Sequence, residues 1–152
     1  MSTTSPHAGS GTAAGIDPRG PQFAAALTSI VLVLVLLLTP GAVGVALLAA
    51  QAVVFALGVT RGVQHTPYSW LFRTLVRPRL GAPAELEDPA PPRFAQAVGL
   101  GFAIVGLLGF LAGIDAVGLV AVGFALVAAL LNAVFRFCLG CEVYLLIRRA
   151  IA

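Results

Sequence analysis

Four long apolar runs constrain the fold of this chain. They cover residues 23–39, 42–59, 94–112 and 117–135, and each is close to the roughly 17 to 25 residues that an α-helix needs to cross a bilayer. Across the chain, 59% of the residues are hydrophobic and 10% are charged, whereas soluble domains carry about 25% charged residues. We therefore expect an all-α membrane protein with four transmembrane helices. Gln51 interrupts the second run, and we expect it to hydrogen-bond to another helix.

An internal repeat relates the first two runs to the last two. Pro40-Gly41 separates the first two runs and predicts a tight hairpin, and a second short turn separates the last two. Asp17-Pro18 precedes the first run as Asp88-Pro89 precedes the third. A second match relates Phe55-Ala56-Leu57-Gly58 to Phe137-Cys138-Leu139-Gly140. The repeat predicts two tandem two-helix units that are inserted in the same orientation.

The nine arginines of the chain predict its orientation. With four spans, the N-terminal tail, the central loop and the C-terminus share one side of the membrane, and every arginine lies on that side. The opposite side has only the two short turns, with Asp115 as its charge. Arginine and lysine collect on the cytoplasmic side of membrane proteins. We therefore expect a multi-pass protein of the cell membrane with cytoplasmic N- and C-termini. The net charge of +3 is assigned to membrane anchoring and not to nucleic acid.

The segments outside the four spans are short. Residues 1–20 are rich in Ser, Thr, Gly and Ala and predict a flexible N-terminal tail, ahead of a transmembrane domain over residues 21–149. In the central loop, Thr66-Pro67 is typical of a helix start. We expect an interfacial helix there over about 67–76, ended by Pro78, and an interfacial extension of the last span over about 138–147. The apolar stripe of the loop helix consists of Tyr68, Leu71, Phe72 and Leu75.

The two cysteines of the chain, Cys138 and Cys141, form a Cys-x-x-Cys motif where the last span leaves the membrane. Residues three apart on a helix face each other, so the pair can close a disulfide or offer two thiolates to a metal. In the cytoplasm such a pair is catalytic or metal-binding more often than structural. A zinc site needs four ligands, and only His65, Glu142 or a second subunit could add to the cysteines. We expect Cys138 and Cys141 to be a catalytic pair without metal or cofactor, with a metal-binding pair and a structural pair as the alternatives.

Polar residues at the same predicted end of the bundle extend this candidate site. Arg93 and Gln96 begin the third span, while Asn132 and Arg136 end the fourth. Each pair lies three or four residues apart and therefore shares a helix face. We expect the four residues to form one polar cluster with the cysteines, in which Arg136 and Arg93 favour the reactive thiolate. Gly140, between the cysteines, would permit a bend or a close approach.

Several short motifs along the chain resemble those of one family. They are Pro67-Tyr68, Arg77-Pro78-Arg79-Leu80, Glu87-Asp88-Pro89, Pro91-Pro92-Arg93-Phe94-Ala95-Gln96, Leu131-Asn132-Ala133 and Phe137-Cys138-Leu139-Gly140-Cys141-Glu142-Val143-Tyr144. Together they resemble the bacterial membrane family labelled domain of unknown function 4395, over roughly residues 15 to 148. The resemblance implies a small integral membrane protein and brings no established activity or catalytic residue with it. It also implies an association with soluble thioredoxin-like and sulfurtransferase-like proteins.

Three functional hypotheses follow. The first is thiol–disulfide exchange or sulfur handling by Cys138 and Cys141 at the cytoplasmic face. The second is a non-enzymatic membrane anchor or scaffold for a soluble thioredoxin-like or sulfurtransferase-like protein, with a structural cysteine pair. The third is a quinone-linked thiol oxidoreductase, whose cysteines usually face the oxidising side of the membrane, opposite to the side that the arginines predict here.

Overall fold

The computed structural model describes residues 15–152. Four of its helices are long and apolar enough to cross a membrane, and each overlaps one predicted span. The protein is therefore an all-helical, multi-pass membrane protein. In chain order the helices are α1 (Arg19–Leu38), α2 (Ala42–Thr60), α3 (Pro67–Leu71), α4 (Arg77–Leu80), α5 (Ala90–Leu111), α6 (Asp115–Phe135) and α7 (Leu139–Ile151), of which α1, α2, α5 and α6 are the spanning helices.

Two of the spanning helices begin about one turn earlier than predicted. α1 starts at Arg19 and α5 at Ala90, and both include prolines in their first turn, namely Pro21 in α1 and Pro91 and Pro92 in α5. A proline lacks a backbone N–H, but the first N–H groups of a helix have no partner within it. Proline is therefore compatible with this turn, and the helices extend through the polar residues before each apolar run.

The four spanning helices form a bundle in which α1 and α5 each pack against both α2 and α6. Leu32, Val35, Leu48 and Val122 lie at its centre and are at most 1% exposed. Large apolar side chains also point outward, such as Leu37 and Leu111, each 73% exposed. Such an apolar outer surface suits lipid and not water.

Glycines bring the backbones of neighbouring helices into direct contact near the turns. A Cβ atom added to Gly109 would lie 2.7 Å from the backbone nitrogen of Gly118, and one added to Gly44 would lie 2.6 Å from the backbone of Leu38. Ala121 and Ala125, four residues apart and therefore on one face of α6, are buried in the same bundle. Because lipid provides no hydrophobic drive between helices, such close packing is a main source of their association.

Gln51 makes the predicted interhelical hydrogen bond. Its side chain is 1% exposed, and its Nε2 donates to Oγ1 of Thr28 in α1 at 3.4 Å. The hydroxyl of Tyr68 in α3 donates to Oε1 of Gln51 at 2.6 Å. Gln51 therefore joins two spanning helices and the loop helix through one buried amide, as polar side chains in membrane bundles commonly do.

The loop helix begins where predicted but ends later. Oγ1 of Thr66 accepts a hydrogen bond from the backbone N–H of Ser69 at 3.2 Å, which confirms the predicted cap. The prediction that Pro78 ends the helix is wrong, because a π-helical turn over Phe72–Val76 leads into α4. Pro78 then occupies the first turn of α4, where a missing N–H is tolerated.

The loop helix packs against the protein through Phe72. Phe72 is 3% exposed, and its ring centroid lies 5.8 Å from that of Phe23 in α1. The remainder of the predicted stripe is less buried, since Tyr68 and Leu71 are partly covered and Leu75 is 57% exposed.

The structure also changes the boundary predicted for the N-terminal tail. Residues 1–14 of that tail lie outside the described residues, but residues 15–20 have defined structure. Ile16 is buried and pairs with Glu87 in an antiparallel bridge, with both backbone N–H···O distances at 2.9 Å. The predicted boundary at residue 21 is therefore too late, because Ile16 finds its partner in a distant loop and not along the sequence.

Candidate functional site

The cysteine motif lies at a break between two helices, so the predicted continuous extension over 138–147 is wrong. α6 ends at Phe135, and Arg136 adopts a left-handed conformation with φ of 55°. The backbone N–H groups of Arg136 and Phe137 donate back to the carbonyls of Asn132 and Leu131, both at 3.1 Å. A left-handed residue is a common way to end a helix, although glycine usually holds that position. The chain then turns and starts α7.

Cys138 caps the N-terminus of α7. Its backbone is extended, and its Sγ accepts a hydrogen bond from the backbone N–H of Cys141 at 3.2 Å. The carbonyl of Cys138 also accepts from the N–H of Glu142 at 3.0 Å. A cap residue normally satisfies one of the free N–H groups with a Ser, Thr, Asp or Asn oxygen; here a cysteine sulfur fills that role. Cys138 therefore lies at the positive end of the dipole of α7.

Cys138 and Cys141 are joined by a disulfide bond. Their Cα atoms lie 5.1 Å apart, within the usual range of about 4.4 to 6.8 Å for bonded cysteines. Both residues are partly exposed, so the pair is not enclosed within the bundle. The expectation that the two sulfurs can meet within one chain is confirmed, although the cap of α7 brings them together and not the face of a continuous helix.

Gly140 packs the cysteine motif closely against α5. A Cβ atom on Gly140 would lie 2.7 Å from both Cα and Cβ of Ala95, which confirms that Gly140 permits a close approach. Next to this contact, the rings of Phe94 and Tyr144 lie 5.6 Å apart between centroids. These contacts join the first turns of α7 to those of α5 at the arginine-rich end of the bundle.

The predicted polar residues lie at the same end but contact different partners. The guanidinium of Arg93 donates to the carbonyls of Val59 at 2.5 Å and Thr60 at 3.1 Å. These carbonyls end α2 and lack helical donors, so Arg93 supplies both hydrogen bonds and a favourable charge. Gln96 lies beside Gly58 of α2, where an added Cβ would be 2.8 Å from its Oε1. Arg93 and Gln96 thus face α2.

Arg136 and Asn132 lie on the chain that leads into the motif. Arg136 is exposed and two residues before Cys138, whereas Asn132 is partly buried in the last turn of α6. Within residues 15–152, the side chains of Asn132 and Arg136 make no hydrogen bond to either cysteine. His65, considered above as a metal ligand, is exposed beside α3. In the same residues, no group of three or more His, Cys, Asp or Glu side chains is close enough to hold a metal ion.

Sequence reasoning missed two features of this site. One is the cap, because cysteine is not among the residues by which helix starts are usually recognised. The sequence did contain a signal for the cap: Cys138 stands before the acidic Glu142 and the apolar positions of α7, where a capping residue stands before a helix. The other is the role of Ala95 as the surface that receives Gly140. Nothing in the local sequence of Ala95 distinguishes it from other helix alanines.

The comparisons with known proteins give one match. The family described as Domain of unknown function (DUF4395) matches residues 16–149, which include all four spanning helices and the cysteine motif. No curated protein and no solved structure matches the chain.

Proposed function

Because the chain belongs to the DUF4395 family, whose description names no activity, we propose its function from the site alone: thiol–disulfide exchange by Cys138 and Cys141. The observation that carries this proposal is the hydrogen bond from the N–H of Cys141 to Sγ of Cys138 at the start of α7. A helix N-terminus that begins at a cysteine of a Cys-x-x-Cys motif is an environment that favours a thiolate.

The helix N-terminus supports different roles for the two cysteines. In the reduced protein, a thiolate at Cys138 is stabilised by the N–H of Cys141 and by the positive end of the 13-residue helix α7. Cys138 is therefore the nucleophile and the better leaving group, and Cys141 is the resolving cysteine. Arg136, which is exposed nearby, adds positive charge for the same thiolate.

The exchange needs only a dithiol or disulfide protein as co-reactant. Starting from the oxidised pair, a thiolate of a reduced partner attacks Sγ of Cys138, the bond to Cys141 breaks, and Cys141 leaves as a thiolate that takes a proton. The second partner thiol then loses its proton and attacks the partner sulfur of the mixed disulfide, and Cys138 leaves. Two electrons pass from the partner to the chain; the partner becomes a disulfide, and the chain holds the thiol of Cys141 and the thiolate of Cys138.

The surroundings support a cytoplasmic, membrane-bound site. Arginines lie at the start of α1, beyond the end of α2, in the first turn of α5 and beyond the end of α6, at the end of the bundle that carries the cysteines. The positive-inside rule then favours a cytoplasmic motif and cytoplasmic termini in a plasma membrane protein. In that compartment disulfides are usually transient and catalytic. A soluble thioredoxin-like or sulfurtransferase-like protein fits the role of partner.

One observation favours a second function, that of a membrane anchor or scaffold for such a soluble protein. The disulfide closes between the cap of α7 and its first turn, and Gly140 in the same turn contacts Ala95. The pair could therefore hold α7 in place as a docking element without exchanging electrons. In that case reduction would loosen α7, but neither thiol would react with a partner.

Contacts outside the cysteine motif support the arrangement of the helices as two tandem two-helix units with an interfacial loop helix. Ile16 and Glu87, which pair in the antiparallel bridge, each directly precede one of the two repeated Asp-Pro pairs. Equivalent positions of two related units meet in this way around a two-fold axis, so the bridge supports two tandem two-helix units. The exposed Trp70 and Leu75, near Arg73 of the π-helical turn and the arginines of α4, support a loop helix at the membrane interface.

A trapping experiment separates exchange from scaffolding. Cys141→Ser leaves Cys138 without its resolving partner, so cells that produce this variant should accumulate a mixed disulfide with the partner at Cys138. Cys138→Ser is the matched control and should trap far less, because the remaining thiol is the resolving one. Equal trapping by the two variants would contradict the assigned roles.

The alkylation rate of each single-cysteine variant in detergent tests the chemistry directly. The thiol of Cys138 should react at neutral pH faster than a free cysteine, because the helix N-terminus favours its thiolate. If both thiols react only after unfolding, and no partner is trapped, the scaffold function is favoured over exchange.

A further inference from the structure

A second site lies at the arginine-rich end of the bundle, away from the cysteine motif. It is a cavity of about 270 Å³ between the start of α1, the turn before α3 and the loop helix. This volume is slightly below the roughly 300 Å³ at which pockets for whole drug-sized ligands begin, so it suits a small polar group. Phe72 and Ile16 contribute apolar wall, and Gln64, Ser69, Arg73 and Arg77 contribute polar groups.

The cavity carries an excess of positive charge. Asp17 also lines it, but its carboxylate is held by Arg19 through two side-chain hydrogen bonds of 3.0 and 2.8 Å. This ion pair is neutral as a unit. Arg77 forms a long ion pair with the same carboxylate, with Nε 4.0 Å from Oδ2 of Asp17, but no hydrogen bond, and Arg73 donates to the uncharged carbonyl of Gln64. Two guanidinium groups therefore remain available to an anion.

The cavity is also lined by a residue with an unused polar atom. Oε1 of Gln64 is buried and has no hydrogen-bond partner in the described residues. A buried polar atom without a partner is rare and unfavourable by about 1–3 kcal/mol. As an amide oxygen, Oε1 can only accept, so an anion that also carries a hydroxyl or amine donor would complement the site.

The backbone that carries the two arginines of the cavity contains a π-helical turn. Arg73 lies in the π-helical turn Phe72–Val76, and Arg77 follows it directly. π-Helical turns are rare in proteins, and those that do occur are often found at functional sites. Arg73, within this turn, and Arg77, directly after it, both line the cavity.

We propose that this cavity binds the phosphate oxyanion of an anionic phospholipid headgroup. The two guanidinium groups bind phosphate oxygens, for which arginine is well shaped, and a headgroup hydroxyl donates to Oε1 of Gln64. The lipid source follows from position. Gly20 and Pro21 of the cavity wall belong to the first turn of the spanning helix α1, so the cavity opens where the bundle meets the bilayer surface. A soluble phosphate ester shares the headgroup chemistry but has no acyl chain to hold it there.

The test measures lipid retention by the full chain in detergent, with phosphatidylglycerol as the probe and native mass spectrometry as the readout. Wild-type protein should retain one phosphatidylglycerol in preference to phosphatidylcholine. Arg73→Gln combined with Arg77→Gln should reduce retention at least about tenfold, since charge-assisted hydrogen bonds are lost. Arg79→Gln is the matched control: Arg79 is exposed in α4 and does not line the cavity, so retention should be unchanged.

Two further experiments distinguish a lipid headgroup from a soluble phosphate ester and provide a second variant in case the first does not fold. Glycerol phosphate at the same concentration should compete poorly; equal competition would assign the site to a soluble phosphate ester and overturn the lipid proposal. Should the double Gln variant fail to fold, the Arg73→Lys and Arg77→Lys double variant keeps the charge but loses the planar donor geometry, and should bind several-fold less. The lipid proposal would also be overturned if a folded double variant retained as much phosphatidylglycerol as the wild-type protein.

Discussion

The hydroxyl of Tyr68 donates a hydrogen bond of 2.6 Å to Oε1 of Gln51, so a loop residue reaches into the spanning bundle. Gln51 also donates to Thr28, and it is almost wholly buried. The loop helix is therefore attached to the bundle by a polar link as well as by the packing of Phe72. This link can be tested without touching the cysteine motif.

Tyr68→Phe should lower the free energy of unfolding by about 1–2 kcal/mol, because it leaves Oε1 of Gln51 buried without its donor. Adding Gln51→Leu should recover part of the loss, since the unpaired oxygen is then removed as well. The measurement is a double-mutant cycle in detergent, followed by the fluorescence of Trp70. Tyr144→Phe serves as a control at an exposed hydrogen bond with Arg148. Additive effects of the Tyr68 and Gln51 changes would show that the pair is not coupled.

The pH dependence of stability should reveal the burial of Tyr68. Burial raises the pKa of Tyr68 above its ordinary value of 10.0, so the folded protein holds the phenol proton more tightly than the unfolded chain. Its contribution is fully present below pH 10 and is lost as the pH rises through the folded pKa. Thermal unfolding between pH 8 and 11.5 should therefore show a fall in stability above about pH 10 that is smaller in Tyr68→Phe. An identical fall in both proteins would place the titration elsewhere.

Asp17 should contribute the opposite dependence at low pH. The hydrogen bonds from Arg19 hold the pKa of this carboxyl below its ordinary value of 3.8, and the charges of Arg19 and Arg77 act in the same direction. The stabilisation is present above that value and is lost as the pH falls through the lower, folded pKa. Unfolding midpoints measured from pH 6 down to 2.5 should decline less steeply in Asp17→Asn. An unaltered slope in that variant would mean that other carboxyls dominate.

Gly140→Ala should displace α7 from α5. The new methyl group would lie 2.7 Å from Cα of Ala95, and such overpacking typically lowers stability by about 1–3 kcal/mol. Gly101→Ala and Gly123→Ala are matched controls in helices, because an added Cβ meets nothing within 4 Å at either position. Chemical unfolding in detergent compares the three, and the alkylation rate of the reduced cysteines reports on the motif. A Gly140→Ala protein as stable as the controls would contradict the contact.

Labelling in whole cells tests the orientation. The arginine distribution predicts that the cysteines face the cytoplasm, so a membrane-impermeant thiol reagent should leave both unlabelled in intact cells. Labelling should appear after the membrane is permeabilised, with a reductant present in both cases because the two sulfurs can be joined. A cysteine introduced at Asp115, the first residue of α6 at the opposite end of the bundle, provides the positive control. Ready labelling of Cys138 in intact cells would reverse the orientation.

The features that could be predicted from the sequence are those set by local properties of the chain. The four spans follow from hydropathy, because a bilayer requires every backbone polar group to be paired within its own helix. The sequence also predicted that Thr66 caps a helix and that Gln51 forms a hydrogen bond. Both predictions are local, because a polar side chain beside a helix start or within an apolar run needs a hydrogen-bond partner. The sequence did not identify Tyr68 as the donor, since that depends on where the loop folds.

The candidate site was predictable in identity but not in geometry. The spacing of Cys138 and Cys141 allowed a bond between them, whereas the break at Arg136 lacks the glycine that normally announces such an ending. Helical spacing grouped Arg93 with Gln96 but could not show that both face α2, because the unpaired carbonyls of Val59 and Thr60 come from another helix. The sequence by itself thus determined which segments enter the membrane and which residues carry the thiols. Only the tertiary structure decided that Cys138 caps α7 and that Gly140 contacts Ala95, since backbone contacts between distant helices depend on how the bundle closes.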